Sequence, residues 1–176
     1  MENSCYSWNI SKALISVEEL KFDNIYSSKE CSVQNFYQPH GGRIQEFSIN
    51  DENGLLITIG QNNPIKVKDN SIIGKILFIG FNNKEPKIIS SGHINTQGLW
   101  TDGSMILSTE HGPRGGDEIN NIKINRNYGW PESSYGEPYG PKNTEPKFLK
   151  DHFNFGYQEP VFTFLKAIGT VSYTHL

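Results

Sequence analysis

The segment from Glu110 to Asn120 has the composition of a functional loop. It reads E-H-G-P-R-G-G-D-E-I-N, so three glycines and a proline stand among five side chains that can carry charge. Apolar runs precede and follow it, which predicts a loop at the edge of a sheet. Such a loop can turn carbonyl and carboxylate oxygens toward Ca²⁺, which takes about six to eight oxygen ligands. A solvated connection without a special function is the alternative.

The sequence around this loop predicts short strands separated by turns. Residues 43–49 alternate loosely, residues 50–54 favour a turn, and residues 55–59 are apolar, which together predict a hairpin. Further strands are predicted at 72–81, 87–91, 98–100, 104–109 and 119–124. Only residues 10–20 could form a helix, and their β-branched content disfavours it.

A weak internal repeat helps to choose among all-β architectures. The turn D-E-N-G at 51–54 and the turn T-D-G at 101–103 each precede an apolar strand. A spacing of about 50 residues is the period of a propeller blade. The repeat favours a propeller, and a sandwich remains the alternative on periodicity alone.

Bulk composition excludes several classes of protein. The 176 residues carry a formal net charge of −3, which gives no electrostatic case for binding nucleic acid or an anionic membrane. No run of 18 apolar residues occurs, which excludes a transmembrane helix. No signal peptide is visible at the N-terminus. Cys5 and Cys31 lack a metal-ligand spacing, so they form either one disulfide or two buried thiols.

Five sequence blocks resemble a known family. Residues 110–120, followed by N-Y-G-W-P at 127–131, resemble the soluble, quinone-dependent aldose sugar dehydrogenases and glucose/sorbosone dehydrogenases. That family's pattern is close to E-H-G-P-R-G-G-D-E-I-N, a short strand, and N-Y-G-W-P. Three upstream blocks resemble the family's in the same order: H-G-G-R-I at 40–44, D-N-S-I-I-G-K-I-L at 69–77 and G-H-I-N-T-Q-G-L at 92–99.

The resemblance implies an all-β fold, a partial six-bladed β-propeller with about three blades in residues 1–170. It also implies calcium-dependent binding of pyrroloquinoline quinone (PQQ) and oxidation of aldose sugars, or related polyols, by hydride transfer to the quinone. The implied partners are a small sugar and a soluble electron acceptor, and the implied location is the periplasm or the cell exterior. A half propeller leaves unpaired edges, so we expect it to be unstable and inactive alone.

The last residues, V-S-Y-T-H-L at 171–176, are expected to be a non-native tail. Their back-translation resembles the transposon end used in preparing sequencing libraries. A genuine final strand is the alternative, and the flanking DNA would decide between the two.

The resemblance also assigns catalytic and cofactor-binding residues. His40 matches the general base, which takes the substrate hydroxyl proton, although the family has three residues between this His and the Arg and this chain has two. An ungapped alignment would place Pro39 there instead. Asn95 matches a residue that contacts the quinone, whereas Ile94 stands where the family has Arg. Tyr139 matches a Tyr that packs against the quinone.

For calcium, the resemblance assigns two sites. The carbonyls of Gly112 and Pro113 match ligands of the quinone-bound ion, and the Glu118 carboxylate and Tyr128 carbonyl match a second, structural site. Asp117 either supports the cofactor pocket or caps the next strand. A non-catalytic, calcium-stabilised propeller that binds a glycan or a protein is the alternative function. A calcium-dependent propeller hydrolase lacks a recognisable nucleophile in this sequence.

Overall fold

The described part of the chain comprises residues 5–16, 18–33, 41–61, 67–138 and 147–170 of the computed structural model. His40, Tyr139 and the expected tail at 171–176 lie outside these residues. Within them, no helix is both long and apolar enough to cross a membrane.

The described residues fold almost entirely into strands, as the turn-rich sequence predicts. The strands are β1 (Cys5–Ile15), β2 (Leu20–Val33), β3 (Gly41–Ile49), β4 (Glu52–Ile59), β5 (Lys75–Gly80), β6 (Lys87–Ser91), β7 (Thr96–Thr101), β8 (Ile106–Glu110), β9 (Asp117–Asn121), β10 (Arg126–Asn127) and β11 (Phe162–Phe164). One short 3₁₀ helix covers Phe153–Phe155. The two strand–turn–strand units predicted at 43–59 and 98–109 are present as β3–β4 and β7–β8.

These strands form three separate sheets with the connectivity of propeller blades. The hairpin β1–β2 is one sheet, the order β10-β6-β5-β4-β3 is the second, and the order β11-β9-β8-β7 is the third. Consecutive strands pair antiparallel within the second and third sheets, apart from the short parallel pairing of β10 with β6. Open antiparallel sheets of this kind, following one another along the chain, are typical of a propeller. The all-β, partial-propeller prediction is confirmed.

The core lies between the sheets, with the five-stranded sheet in the middle. One apolar cluster joins this sheet to the four-stranded sheet through Leu56, Ile76, Phe78, Ile89, Leu99, Ile106, Ile122 and Tyr128. Another cluster joins its opposite face to the hairpin, where Trp8, Ile10 and Tyr26 pack on Ile57, Ile59, Ile72, Leu77 and Ile79. Burying a large apolar side chain stabilises the fold by about 1.5 to 3 kcal/mol.

The prediction of a possible helix at residues 10–20 is wrong. Ile10 to Ile15 belong to β1, which pairs with β2 down to the Ile15–Leu20 pair. The β-branched residues that disfavoured the helix therefore lie in a long hairpin, where Ile10 gains contacts that a lone helix would not provide.

Cys31 in β2 is disulfide-bonded, which favours the disulfide over the two buried thiols.

Candidate functional site

The loop that joins β8 to β9 is held by backbone packing that only glycine allows. A Cβ atom on Gly116 would lie 2.1 Å from the Gly136 nitrogen, and one on Gly112 would lie 2.2 Å from the Gly115 oxygen. Gly116 also has a φ of +70°, which residues other than glycine rarely adopt. The glycines of this loop therefore fix its path against residues 135–136.

We expect Gly116→Ala to destabilise the protein by about 2 to 4 kcal/mol, because it adds a steric clash to the backbone strain. Gly103→Ala is the matched control, because Gly103 has a φ of +91° but a Cβ atom added there would meet nothing within 4 Å. The control should cost about 1 kcal/mol, since it adds strain without a clash. Urea unfolding of both variants measures the difference, and equal losses would mean that packing around Gly116 is unimportant.

Glu110, at the end of β8, binds three donors from the segment before β7. Its Oε1 accepts the backbone N–H groups of Ile94 and Asn95, the latter at 3.2 Å, and its Oε2 lies 3.0 Å from Nδ1 of His93. The other ring nitrogen of His93 lies 2.8 Å from the Ser90 hydroxyl. Glu110 and His93 are both buried, so these bonds are shielded from water. This Ser90–His93–Glu110 chain fixes the backbone beside Asn95.

Asn95 is positioned from both ends of the loop. Its backbone carbonyl accepts the N–H of His111 at 3.0 Å, and its side-chain oxygen accepts a hydrogen bond from Gln97 at 2.6 Å. Its side-chain NH₂ group has no hydrogen-bond partner among the described residues, so it can donate to a ligand. Its neighbour Ile94 is buried.

Asp117, at the start of β9, is a buried clamp for backbone amides. Its Oδ2 accepts the N–H groups of Ile168, Gly169 and Thr170 at 3.2, 2.9 and 3.2 Å, and its Oδ1 accepts that of Gly112 at 3.2 Å. It therefore ties the loop to residues 168–170. These bonds do not cap the following strand, and support of a cofactor pocket by Asp117 stays a prediction.

Three of the four predicted calcium ligands surround one small cavity. Gly112, Glu118 and Tyr128 line it together with Glu110, and it has space for about one water-sized sphere. Pro113 is buried beside it, against Gly136, and does not line it. The resemblance assigns Gly112 and the pair Glu118–Tyr128 to two different ions, whereas the structure brings them together.

The electrostatics of this cavity suit a cation. Burial, and then the charge of Glu110, raise the pKa of Glu118 well above its usual range. Asn120 donates to Glu118 at 3.2 Å, and the Asn120 side-chain oxygen is buried without a hydrogen-bond partner in the described structure. A divalent cation would offset the repulsion between the two carboxylates.

Few side chains are available to bind that cation. The described residues contain no group of three or more His, Cys, Asp or Glu arranged to hold a metal. Backbone carbonyls would therefore supply much of the coordination, as the resemblance implies. The Tyr128 hydroxyl is already engaged, because it donates to the Asn121 carbonyl at 2.7 Å and burial raises its pKa to about 12. Of the two oxygens of Tyr128, only the backbone carbonyl remains a candidate ligand.

Sequence reasoning missed the supporting residues of the site. From the sequence, His93 is visible only as part of the block at 92–99, and Glu110 only as part of the loop at 110–120. The signal for Glu110 is its place at the end of a strand, directly before the glycine-rich turn. Ser90 carries no comparable signal, because its contact with His93 depends on the turn between β6 and β7.

Comparison with known proteins agrees with this fold. Residues 49–175 match the profile of the glucose/sorbosone dehydrogenases. Aldose sugar dehydrogenase YliI of Escherichia coli is 34% identical over 143 residues, which cover 69% of this chain and 36% of that protein. The fold and these matches thus define a partial β-propeller of the sugar dehydrogenase class. The chain belongs to the glucose/sorbosone dehydrogenase family, as its sequence blocks predicted.

Solved structures extend the comparison. A crystal structure of a glucose dehydrogenase superposes with a TM-score of 0.70 at 28% identity, over 90% of this chain and 49% of that one. The PQQ-bound aldose sugar dehydrogenase of Streptomyces coelicolor gives a TM-score of 0.56 at 26% identity, over 81% and 44%. This chain therefore spans about half the length of these structures.

Proposed function

We propose that the complete protein oxidises aldose sugars, or related polyols, by hydride transfer to PQQ in a calcium-dependent reaction. The loop at 110–120 carries this proposal, because Glu110 and Glu118 at its two ends line one small cavity and the N–H of His111 binds the Asn95 carbonyl. The sugar dehydrogenases among the relatives support it. Residues 1–170 would form part of the propeller, and a soluble acceptor in the periplasm or outside the cell would take the electrons.

Each proposed residue has a distinct role. When bound, the quinone supplies the hydride acceptor. His40 takes the proton from the sugar hydroxyl, because an imidazole has a pKa near neutrality. Asn95 would orient the quinone through its side-chain NH₂ group, and Tyr139 would pack against it. The Gly112 carbonyl, the Glu118 carboxylate and the Tyr128 carbonyl, which line one small cavity, would hold one calcium ion there, and the Pro113 carbonyl, which does not line that cavity, would help to hold the calcium ion of the quinone.

Activity of the complete gene product tests this proposal. The protein is mixed with PQQ, Ca²⁺ and a redox dye, and dye reduction is followed with a panel of aldoses. We expect aldose-dependent dye reduction that is lost when either PQQ or Ca²⁺ is left out. If there is no turnover and no quinone absorbance remains after desalting, the proposal is wrong.

We expect Ca²⁺ to stabilise the complete gene product through Glu118. At 100 times its dissociation constant, a ligand of the folded state adds about 2.7 kcal/mol to the free energy of unfolding. Glu118→Gln should lose most of this gain, because it removes a charged ligand. Without Ca²⁺ and at neutral pH it should be at least as stable as the wild type, because the raised pKa of Glu118 means that the folded protein disfavours the charged carboxylate.

Thermal unfolding with and without CaCl₂ checks this prediction. Glu137→Gln is the matched control, because Glu137 is exposed and pairs with Lys150 at 3.2 Å. The control should keep the full calcium response. A full response in Glu118→Gln would contradict the assignment of Glu118 as a ligand.

A non-catalytic, calcium-stabilised propeller is the second candidate function. Ile94 favours it, because the family's Arg would make charge-assisted hydrogen bonds to an anionic cofactor. Losing that guanidinium should cost several kcal/mol of cofactor binding, of the order expected when a charged hydrogen bond is lost. Calcium-dependent stabilisation together with glycan or protein binding, but without quinone binding or turnover, would identify this function.

A further inference from the structure

A larger cleft lies at the outer edge of the five-stranded sheet. Its volume is about 320 Å³, near the lower end of the range for small-molecule sites, about 300 to 1,000 Å³. One wall comes from β5 and β6, and the other from residues 125–132 and Tyr157. The cleft shares Gly92 and Trp130 with the small cavity, but it contains none of the residues assigned to the quinone or calcium.

Two nitrogen donors border this cleft, and one of them is buried without a partner in the described structure. Lys75, which lines it, is only 7% exposed, and its ammonium makes no hydrogen bond within the described structure. Burial lowers the pKa of Lys75, while the charges of Asp69 and Glu30 act in the opposite direction. Trp130, also 7% exposed, has a buried indole N–H with no partner in the described part of the chain. Leaving such donors unsatisfied is costly, so a ligand that accepts from them would stabilise the site.

A third donor faces the same cleft from the neighbouring strand. Arg126 in β10 lines it and is exposed, and its guanidinium makes no hydrogen bond to the residues that the structure describes. Two cationic side chains, Lys75 and Arg126, and two carboxylates, Asp69 and Glu132, line the cleft, so it offers separate places for an anionic group and for hydroxyl donors of one ligand. A carboxylate suits it, because Arg binds carboxylates through paired N–H groups.

The remaining walls suit a hydroxylated carbon skeleton. The side chains of Asn125, Asn127 and Ser91 supply hydrogen-bonding groups around the cleft, and the Asp69 carboxylate can accept from hydroxyls. The rings of Trp130 and Tyr157 supply apolar surface, which suits the C–H face of a small polyol. A purely apolar acid would leave the amides and the carboxylate without partners.

We propose that this cleft binds a small polyhydroxylated carboxylate, a sugar acid, whose carboxylate is held by Lys75 and Arg126. The site is distinct from the proposed catalytic site, so binding does not require the quinone. The proposal stands whether or not the protein oxidises sugars.

Titration calorimetry of the complete gene product with sodium D-gluconate tests the proposal. We expect saturable binding without PQQ, and at least ten-fold weaker binding in Lys75→Met and in Arg126→Gln. Arg126→Gln keeps the test valid if Lys75→Met fails to fold, because Arg126 is exposed. Lys84→Met is the matched control, because Lys84 is exposed in the turn between β5 and β6 and lines a different cleft. It should leave the affinity unchanged.

Three uncharged or unhydroxylated probes complete the experiment. D-Glucose should bind this cleft at least ten-fold more weakly than gluconate, and any glucose binding that Arg126→Gln leaves unchanged belongs to another site. Acetate and phosphate should also bind more weakly than gluconate, because they lack the hydroxylated skeleton. Absence of gluconate binding, unchanged affinity in Arg126→Gln, or equal binding of acetate or phosphate would each overturn the proposal.

Discussion

Replacing Glu110 by alanine is expected to destabilise the protein by about 3 to 5 kcal/mol, the usual cost of removing one partner from a buried, charged network. The Glu110 carboxylate accepts two backbone N–H groups and lies 3.0 Å from His93. In the alanine variant these donors stay buried, because His93 is fully enclosed and packs on the Tyr128 ring at 5.0 Å. Water therefore cannot easily replace the lost acceptor. Urea unfolding of the complete gene product measures the loss.

Two further variants separate the network from general effects of charge. Glu137→Ala removes an exposed carboxylate from its ion pair with Lys150 and should cost less than about 1 kcal/mol. Glu110→Gln keeps one oxygen for the N–H groups of Ile94 and Asn95, so its loss should fall between those of the two alanine variants. A loss in Glu110→Ala as small as in Glu137→Ala would mean that the network does not stabilise the fold.

The sequence predicted the strands that have local signals and missed the hairpin that depends on distant contacts. Period-two alternation and Gly- or Asn-containing turns are local signals, and they placed β3, β4, β7 and β8 within a few residues. The hairpin β1–β2 was missed because its apolar residues, such as Ile10 and Tyr26, are partly buried only through contact with the second sheet. Tertiary packing, rather than local preference, decides the structure there.

The site shows the same division between local and distant contacts. The composition of residues 110–120 was enough to predict a loop that could bind a cation. Its packing was not predictable, because Gly115 and Gly116 are constrained by Leu165 and Gly136, which lie far along the chain. For the same reason, nothing in the sequence indicated that Asp117 binds the backbone of residues 168–170.

The cleft around Lys75 was also beyond sequence reasoning. Lys75 was visible only as part of the block at 69–77, and Trp130 only as part of N-Y-G-W-P, whose Trp is more often a core residue. The parallel pairing of β10 with β6 brings these two blocks to one cleft. Residues that belong to a motif can therefore also line a site that the motif does not describe.

The second large effect is expected for His40. We predict that His40→Ala lowers kcat of the quinone-loaded, complete gene product by about 100- to 10,000-fold, the usual contribution of a general base. The segment after His40 supports this role, because β3 is joined to the start of β7. The Thr58 hydroxyl accepts the backbone N–H of Arg43 at 3.0 Å and donates to the Thr96 carbonyl at 3.1 Å. In the sequence, His40 stands three residues before Arg43, which is one end of this bridge, and Asn95 directly precedes Thr96, which is the other end.

Pro39→Ala is the matched control for the shortened block, because an ungapped alignment places Pro39 where the family has its base. A proline has no group that accepts a proton, so this variant should keep kcat within a few-fold of the wild type. The pH profile distinguishes a base from a structural residue: the wild-type kcat should fall as pH decreases through the pKa of an imidazole, near 6.5, and the residual activity of His40→Ala should lack that limb. Full activity in His40→Ala would show that another group takes the proton, even though the chain belongs to this family. If Pro39→Ala lost as much activity as His40→Ala, the loop's conformation rather than the imidazole would be responsible.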